Sequence, residues 1–284
     1  DINKYLSFNV RNPKFLEEPI TIKQLLTHTS SIKDNKFYLE SYSCNDLDMS
    51  LNDWLQNYFE KNGQFYSNRD NFYDWKPNGD YKYSNIAYGI LGLIVEKVSK
   101  ISFNEYCKLN IINPLKMNNS SWFYKDLDTS NFAKQYVKFG EDKVYNDWIK
   151  RLVVKENNDY MEICNYSFYN YPDGLFKTNI DALSNFLKAF QNKGKFQDFQ
   201  LLKEETINQM LTLQLPNNKV QGIGWKRIEG EGFSLWGHSG RDPGVRTHMY
   251  FNPTTNIGII LFQNNDEGTT IKLIKSLYKT MIEK

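Results

Sequence analysis

The sequence predicts an α+β fold, because the spacing of its apolar residues changes along the chain. Up to about residue 214 the periodic segments, separated by irregular stretches, have helical spacing. From Gly222 to Phe262 the apolar residues alternate with period two, and an amphipathic stretch closes the chain. No internal repeat and no linker-like composition interrupts the 284 residues. The expectation is therefore one domain over 1–284, with a mostly helical lobe at 21–214 and a sheet lobe from 1–20 and 215–284.

Thr21 with Gln24 forms a capping box that opens a helix running to His28, with Ile22, Leu25 and Leu26 on its apolar face. From Asp34 to Asp80 the chain is rich in Asn, Asp, Ser, Tyr and Trp, and reads as irregular except for a short helix near Leu51 to Phe59. Asn85 to Lys100 is apolar on most sides, which predicts a buried helix. Ser102 to Glu105 is a second capping box, and the helix it opens must stop before Pro114. Trp122 to Tyr171 reads as loop-rich. Helical spacing returns at Ile180–Phe190 and Glu204–Leu213. Strands are predicted at Gly222–Ile228, Phe233–His238, Thr247–Phe251 and Gly258–Phe262, the last two joined by a turn at Asn252–Asn256. Ile271 to Ile282 is the closing helix.

Composition excludes several classes of function. A formal charge of +2, with Lys and Arg scattered, argues against nucleic acid or an anionic membrane as partner. The longest apolar run, Ile86 to Val98, is broken by Gly89, Gly92 and Glu96 and is too short to span a bilayer. Cys44, Cys107 and Cys164 are odd in number and lack metal-ligand spacing, so free, mostly buried thiols are expected, and neither zinc nor any cofactor.

Two short motifs carry candidate chemistry. Tyr83-Ser84-Asn85 opens the buried helix, where a tyrosine can stand at the mouth of a cleft and Asn85 can point a carboxamide into it; Asn and Ser also serve there simply as caps. His238-Ser239-Gly240 ends a predicted strand and is followed by Arg241-Asp242-Pro243-Gly244. Small residues at such an edge let a substrate lie close to the backbone, and amide N–H groups there can meet a developing oxyanion. An ordinary strand end is the plainer reading.

Surrounding segments change the balance. Ile20 to Ser30 (ITIKQLLTHTS) resembles the ITIxxLLTHTSG signature of the class C β-lactamase-like serine hydrolases, which share the penicillin-binding-protein (transpeptidase) fold. Tyr81 to Glu96 is similar to that family's YSNxxYxLLGxIIE segment, and Phe103 to Ser121 to its FxEYxxxxIFxPLGMxxT segment. Pro172 to Thr178 stands where the family has GGLxST, Gly222 to Trp225 matches GxGW, and Trp236 to Asn264 follows the HxG block. All occur in family order.

The resemblance implies an antiparallel sheet flanked by helices beside a helical lobe, and an acyl-enzyme mechanism on a small-molecule or peptide substrate. Tyr83 would manage the proton of a nucleophilic serine, and Asn85 would orient the substrate. His238 would stand in the lactamase KTG-lysine position, Ser239 and Gly240 would line the substrate, and the Arg241 N–H would serve the oxyanion. A tyrosine of ordinary pKa, about 10, is a poor base at neutral pH, so neighbouring cations should lower it. Histidine in place of lysine is more typical of esterase, D-aminopeptidase and LACTB-like members, which favours an esterase or peptidase over a true β-lactamase.

The family's SxxK serine and lysine precede LLTHTS by several dozen residues, whereas this chain has only Asp1 to Pro19 there. The nucleophile is thus expected in an upstream segment, in cis or as a cleaved fragment; a catalytically silent binding relative is the alternative. Ser30-Ser31-Ile32-Lys33 and Ser276-Leu277-Tyr278-Lys279 have the letters without the context. His28 is expected to bond backbone, and His248 to be structural or surface. By family resemblance, an exported or membrane-anchored location is expected.

Overall fold

The computed structural model describes all residues except 68, 139–146, 158, 266, 269 and 284. Helix α1 (Ile22–Leu26) starts with both arms of the Thr21–Gln24 capping box. Then come α2 (Lys36–Glu40), β1 (Ser43–Cys44) and α3 (Leu51–Phe59), the last capped by the Ser50 hydroxyl. Helix α4 (Asn85–Ser99) is capped by Ser84 and ends at Lys100 in the left-handed region. Helix α5 (Phe103–Cys107) is capped by Ser102 and passes into a π-helical turn at Lys108–Ile112, short of Pro114. Next are β2 (Gln135–Lys138), α6 (Asp147–Lys150), β3 (Val153–Glu156), β4 (Tyr160–Ile163) and β5 (Tyr166–Ser167). Helix α7 (Ile180–Gln191), β6 (Lys195–Phe196), β7 (Phe199–Gln200) and α8 (Glu204–Met210) follow. The chain ends with β8 (Lys226–Glu229), β9 (Ser234–Asp242), β10 (Val245–Phe251), β11 (Gly258–Gln263) and α9 (Thr270–Ile282).

The chain forms two compact units. The first comprises Asp1–Leu109, Ser121–Lys125 and Tyr166–Lys177. Its centre is α4, against which α1, α3, α5 and a 3-10 turn at Tyr171–Asp173 all pack. Ile86, Ile90 and Leu93 of α4 are wholly buried, as are Leu25, Trp54, Leu55 and Tyr58 from the helices around it. Full burial of one such aliphatic side chain is worth about 1.5–3 kcal/mol, so this apolar helix is held by packing on several sides. Gly89 makes one close approach possible: a Cβ there would lie 1.9 Å from the Asn170 Oδ1.

The second unit comprises Asn110–Ser120, Asp126–Asn165 and Thr178–Lys284. Its main sheet is antiparallel with strand order β11-β10-β9-β8. The alternation of strand side chains sends Trp236 and Phe251 to one face, where they join Trp225, Leu187, Phe190 and Ile207. Leu235, Tyr250 and Ile259 go to the other face and meet Ile274 and Tyr278 of α9.

The sheet departs from the sequence expectation in two places. Strand β9 does not end at His238; it continues to Asp242, because Ser239, Gly240, Arg241 and Asp242 pair with His248, Thr247, Arg246 and Val245 of β10. Pro243-Gly244 is the two-residue turn of this hairpin, with Gly244 at φ +69°. The stretch read as loop-rich also contains a three-stranded sheet, β2-β4-β3. Its strands have four residues each, and Val137, Met161 and Ile163 are their buried apolar residues, too few to print a visible period. That small sheet braces the hairpin: a Cβ on Gly244 would lie 2.9 Å from the Tyr136 nitrogen and 3.0 Å from Ile163 Cδ1.

The cysteine expectation is also corrected. Cys44 and Cys164 are disulfide-bonded, and Cys107 is the free, buried thiol, its pKa pushed up to about 12 by burial. Their separation in sequence hides the pair, but β1 joins β5 with Cys44 opposite Tyr166, which returns the chain to two residues from Cys164.

Gly244 thus combines a left-handed backbone with a closed surrounding. Gly244→Ala should destabilise the protein by about 1–3 kcal/mol, read as a lower urea midpoint at unchanged slope. An unchanged midpoint would contradict the bracing of the hairpin.

Candidate active site

The first unit brings Tyr83 and Asn85 together with three residues that hold the motif, Asp34, Asn170 and His28. Asp34 lies against the start of α4. Its Oδ1 accepts from the Ser84 hydroxyl at 2.9 Å and the Ile86 amide at 3.1 Å, and its Oδ2 from the Asn85 amide at 3.0 Å and Asn85 Nδ2 at 2.9 Å. All four partners are donors, which suits an ionised carboxylate at a helix N-terminus. Burial raises the Asp34 pKa, and these hydrogen bonds oppose that rise. The Asn85 amide plane is fixed by its bond to Asp34.

From the other side, the wholly buried Asn170 donates through Nδ2 to the Asn85 carbonyl and to Asp173 Oδ2, both at 2.9 Å, while its Oδ1 accepts from Trp54 Nε1 at 3.2 Å. His28 is 2% exposed, and its Nδ1 accepts from the Ser84 amide at 3.2 Å. Its ring lies 4.2 Å from that of Tyr83 and 5.0 Å from that of Tyr88, centroid to centroid. The expectation that His28 bonds backbone is met. Sequence reading missed Asp34, Asn170 and Asp173 as supports, because nothing in the pattern marks a carboxylate or carboxamide whose partners lie from 50 to 116 residues away.

Electrostatics around Tyr83 run opposite to the expected lowering. Its pKa is pushed well above the ordinary phenol value, first by burial and then by Asp173, Tyr88, Asp34 and Tyr81. Tyr83 as a whole residue is 37% exposed, with its hydroxyl end in the more buried part. As placed by these neighbours, Tyr83 is a neutral hydrogen-bonding group, and work as a base requires a cation that they do not supply.

The second unit carries His238, Ser239, Gly240 and Arg241 along β9. The pair closing a two-residue hairpin, Asp242 with Val245, exchanges both its hydrogen bonds. By alternation, Gly240 and His238 bond toward β10, and the backbone groups of Ser239 and Arg241 point to the opposite edge. Strand β8 covers that edge only from Ser234 to Gly237, so the Arg241 N–H lies on an edge with no strand partner among the described residues. The Ser239 hydroxyl is engaged with Tyr250. His238 is half-buried, and its pKa falls to about 4 through burial and the nearby charge of Lys226, against a hydrogen bond to the Ser239 backbone. At neutral pH His238 is therefore uncharged, unlike a lysine. Lys226, opposite Gly237 in β8, has its own pKa lowered by burial.

The remaining candidates are structural. Ser30 and Ser31 are each 1% exposed, Ser31 Oγ accepts from Asn12 Nδ2 at 3.0 Å, and Lys33 pairs with Asp70 at 2.7 Å. Ser276 is exposed on α9, whose Lys279 pairs with Glu231 at 2.8 Å. Neither SxxK string turns its lysine onto its serine. His248 is 5% exposed and its Nε2 is hydrogen-bonded to the Thr270 hydroxyl. Among the described residues no group of three His, Cys, Asp or Glu side chains could hold a metal ion.

The His238 environment gives a direct test. Its imidazole should titrate near pH 4 by NMR, and stability should decline as pH falls from about 6.5 toward 4, where the unfolded chain binds a proton that native His238 refuses. A midpoint at the ordinary histidine value would contradict this electrostatic account.

A sequence profile described as Beta-lactamase matches residues 1–275. Protein flp of Staphylococcus aureus (strain MRSA252) is 25% identical over 277 residues, 98% of this chain and 49% of its own length. The chain thus spans about half of that relative. The octameric penicillin-binding protein homologue of Pyrococcus abyssi superposes with a TM-score of 0.73 at 21% identity, over 100% of this chain and 59% of the homologue. A D-stereospecific amidohydrolase from Streptomyces gives 0.71 at 19% identity, over 97% of this chain and 77% of the amidohydrolase. The fold is accordingly β-lactamase/transpeptidase-like. With the profile covering nearly the whole sequence, the chain belongs to the Beta-lactamase family.

Proposed function

We propose that this chain is the larger part of a serine hydrolase that works through an acyl-enzyme on ester, amide or peptide substrates. The SxxK serine and lysine would lie in a segment upstream of Asp1. The observation that carries this reading is the Tyr83-Ser84-Asn85 motif, clamped at the start of α4 by His28, Asp34 and Asn170 with the Asn85 amide orientation fixed. In this reading the serine Oγ attacks the substrate carbonyl and its proton passes to the lysine–tyrosine pair. The leaving group takes a proton as it departs, and water then releases the acyl group. The ammonium of the SxxK lysine is the cation Tyr83 needs, since the carboxylates of Asp173 and Asp34 both act to keep the phenol protonated. Asn85 orients the substrate carbonyl or amide. The Arg241 N–H is one oxyanion donor, paired with that of the serine, and Ser239 and Gly240 supply backbone along which the acyl chain lies.

The neutral state of His238 supports a substrate without a carboxylate to be anchored there, hence an esterase or peptidase rather than a true β-lactamase. The amidohydrolase among the structural relatives is in keeping with amide substrates. The disulfide supports an oxidising compartment, which suits an exported or membrane-anchored protein. A second reading, a catalytically silent binding protein of the same fold, draws on the raised Tyr83 pKa.

Full-length protein is expected to hydrolyse a short activated ester or an amino acid amide, and Tyr83→Phe to lower kcat/KM by about 10²–10⁴-fold. Full activity in that variant would overturn the role given to Tyr83. Absence of any turnover in the wild type would favour the binding protein.

A further inference from the structure

His28 is in contact with every residue of the segment that presents the tyrosine. Its carbonyl accepts from the Lys82 amide at 2.9 Å and its Nδ1 from the Ser84 amide at 3.2 Å, so the backbone on both sides of Tyr83 is tied to one residue. Its imidazole lies against the Tyr83 ring at 4.2 Å with a 37° tilt. Tyr88, one turn into α4, backs it at 5.0 Å and 25°, and Tyr81 meets it edge-on at 6.1 Å. Tyr88 is itself anchored through its hydroxyl to the Leu26 carbonyl at 3.1 Å.

Two features show that the arrangement is specified. His28 has φ +56°, a left-handed conformation that most side chains avoid, at the point where the chain leaves α1. It is also 2% exposed, where a polar ring is stable only with its nitrogens used. Histidine meets both demands of the position, a flat face for Tyr83 and an in-plane acceptor for the next amide. Phenylalanine would keep the face and lose the acceptor. Asparagine would keep an acceptor, tolerate the backbone and lose the face.

We infer that His28 is a positioning residue for Tyr83, setting the direction of the phenol through ring contact and the path of residues 82–84 through two hydrogen bonds. The inference rests on the proposed role of Tyr83 for its effect on rate, and on geometry alone for its effect on the ring. His28 touches no reacting atom in this account. It turns the end of α1 into a template for the motif, just as Asp34 does for Ser84, Asn85 and Ile86. A reaction step that requires the tyrosine oxygen within hydrogen-bond reach of a serine is sensitive to displacements of about 1 Å, which can cost around 10²-fold in rate.

The test uses full-length protein with His28→Asn and His28→Phe, followed by thermal unfolding, hydrolysis kinetics and NMR of ¹³C-labelled tyrosine, the Tyr83 signal being assigned with Tyr83→Phe. His28→Asn is expected to fold and to move the Tyr83 ring signal. It should lower kcat by about 10- to 100-fold while KM changes little, the pattern of an interaction that matters in the transition state. His28→Phe, which keeps the ring contact, should fall between wild type and His28→Asn in the Tyr83 signal. A Tyr83 signal unmoved in His28→Asn overturns the inference, whatever the rate. A moved signal with an unchanged rate supports the positioning and overturns the catalytic role proposed for Tyr83. Failure of both variants to fold would also overturn it, making His28 a support of the fold instead.

Discussion

A single buried carboxylate sets the first unit in order. Asp34 receives four hydrogen bonds from three consecutive residues at the start of α4, and the 15-residue helix that begins there is the core around which the other helices pack. Hydrogen bonds to a charged group contribute about 1.5–3 kcal/mol each, and a buried charge left without them costs several. Asp34 can stay ionised in this setting only while Ser84, Asn85 and Ile86 stay where they are. The fold and the presentation of the motif are therefore one constraint. Through His28 and Asn170 it extends to Tyr83 and Asp173.

The second unit solves a different problem, which is to keep a strand edge open without letting it fray. Strand β9 outruns β8 by five residues, and those residues include His238 to Arg241. An edge of this kind is held by β10 on one side and, at the hairpin tip, by the small β2-β4-β3 sheet against Gly244. Its outward amides at Ser239 and Arg241 pair with no strand among the described residues. Both faces are packed with aromatic residues, Trp225, Trp236 and Phe251 on one side and Tyr250 and Tyr278 on the other. Burial beside Lys226 then keeps His238 neutral, which gives this edge a different chemistry from one bearing a lysine.

Much of this was legible in the sequence where the signal is local. The Thr21–Gln24 box, the Ser84 cap, the long apolar run of α4 and the period-two strands of the main sheet each follow from neighbouring residues, and the order of motifs identified the family. Signals that depend on distant partners were not legible. The sequence pattern ends β9 at His238 because Gly240 and Asp242 are poor strand residues, and only their pairing with Thr247 and Val245 keeps them extended. The β2-β4-β3 sheet has few apolar residues, and the disulfide joins cysteines whose spacing says nothing. The raised pKa of Tyr83 comes first from burial and then from Asp173, ninety residues further along the chain. Neither burial nor that proximity can be read from the Tyr83 motif itself.

The proposed acyl transfer gives one role to the clamped tyrosine–asparagine motif and another to the strand edge, and takes its nucleophile from an SxxK segment upstream of Asp1. The serines of this chain in SxxK context are buried or sit on an outer helix, each with its lysine paired elsewhere. Covalent labelling of full-length protein with a fluorophosphonate, followed by intact mass and peptide mapping, addresses this most directly. The account predicts a single adduct on a serine upstream of Asp1, three residues before a lysine. No adduct under any condition, or an adduct on a serine within the 284 residues, would contradict it.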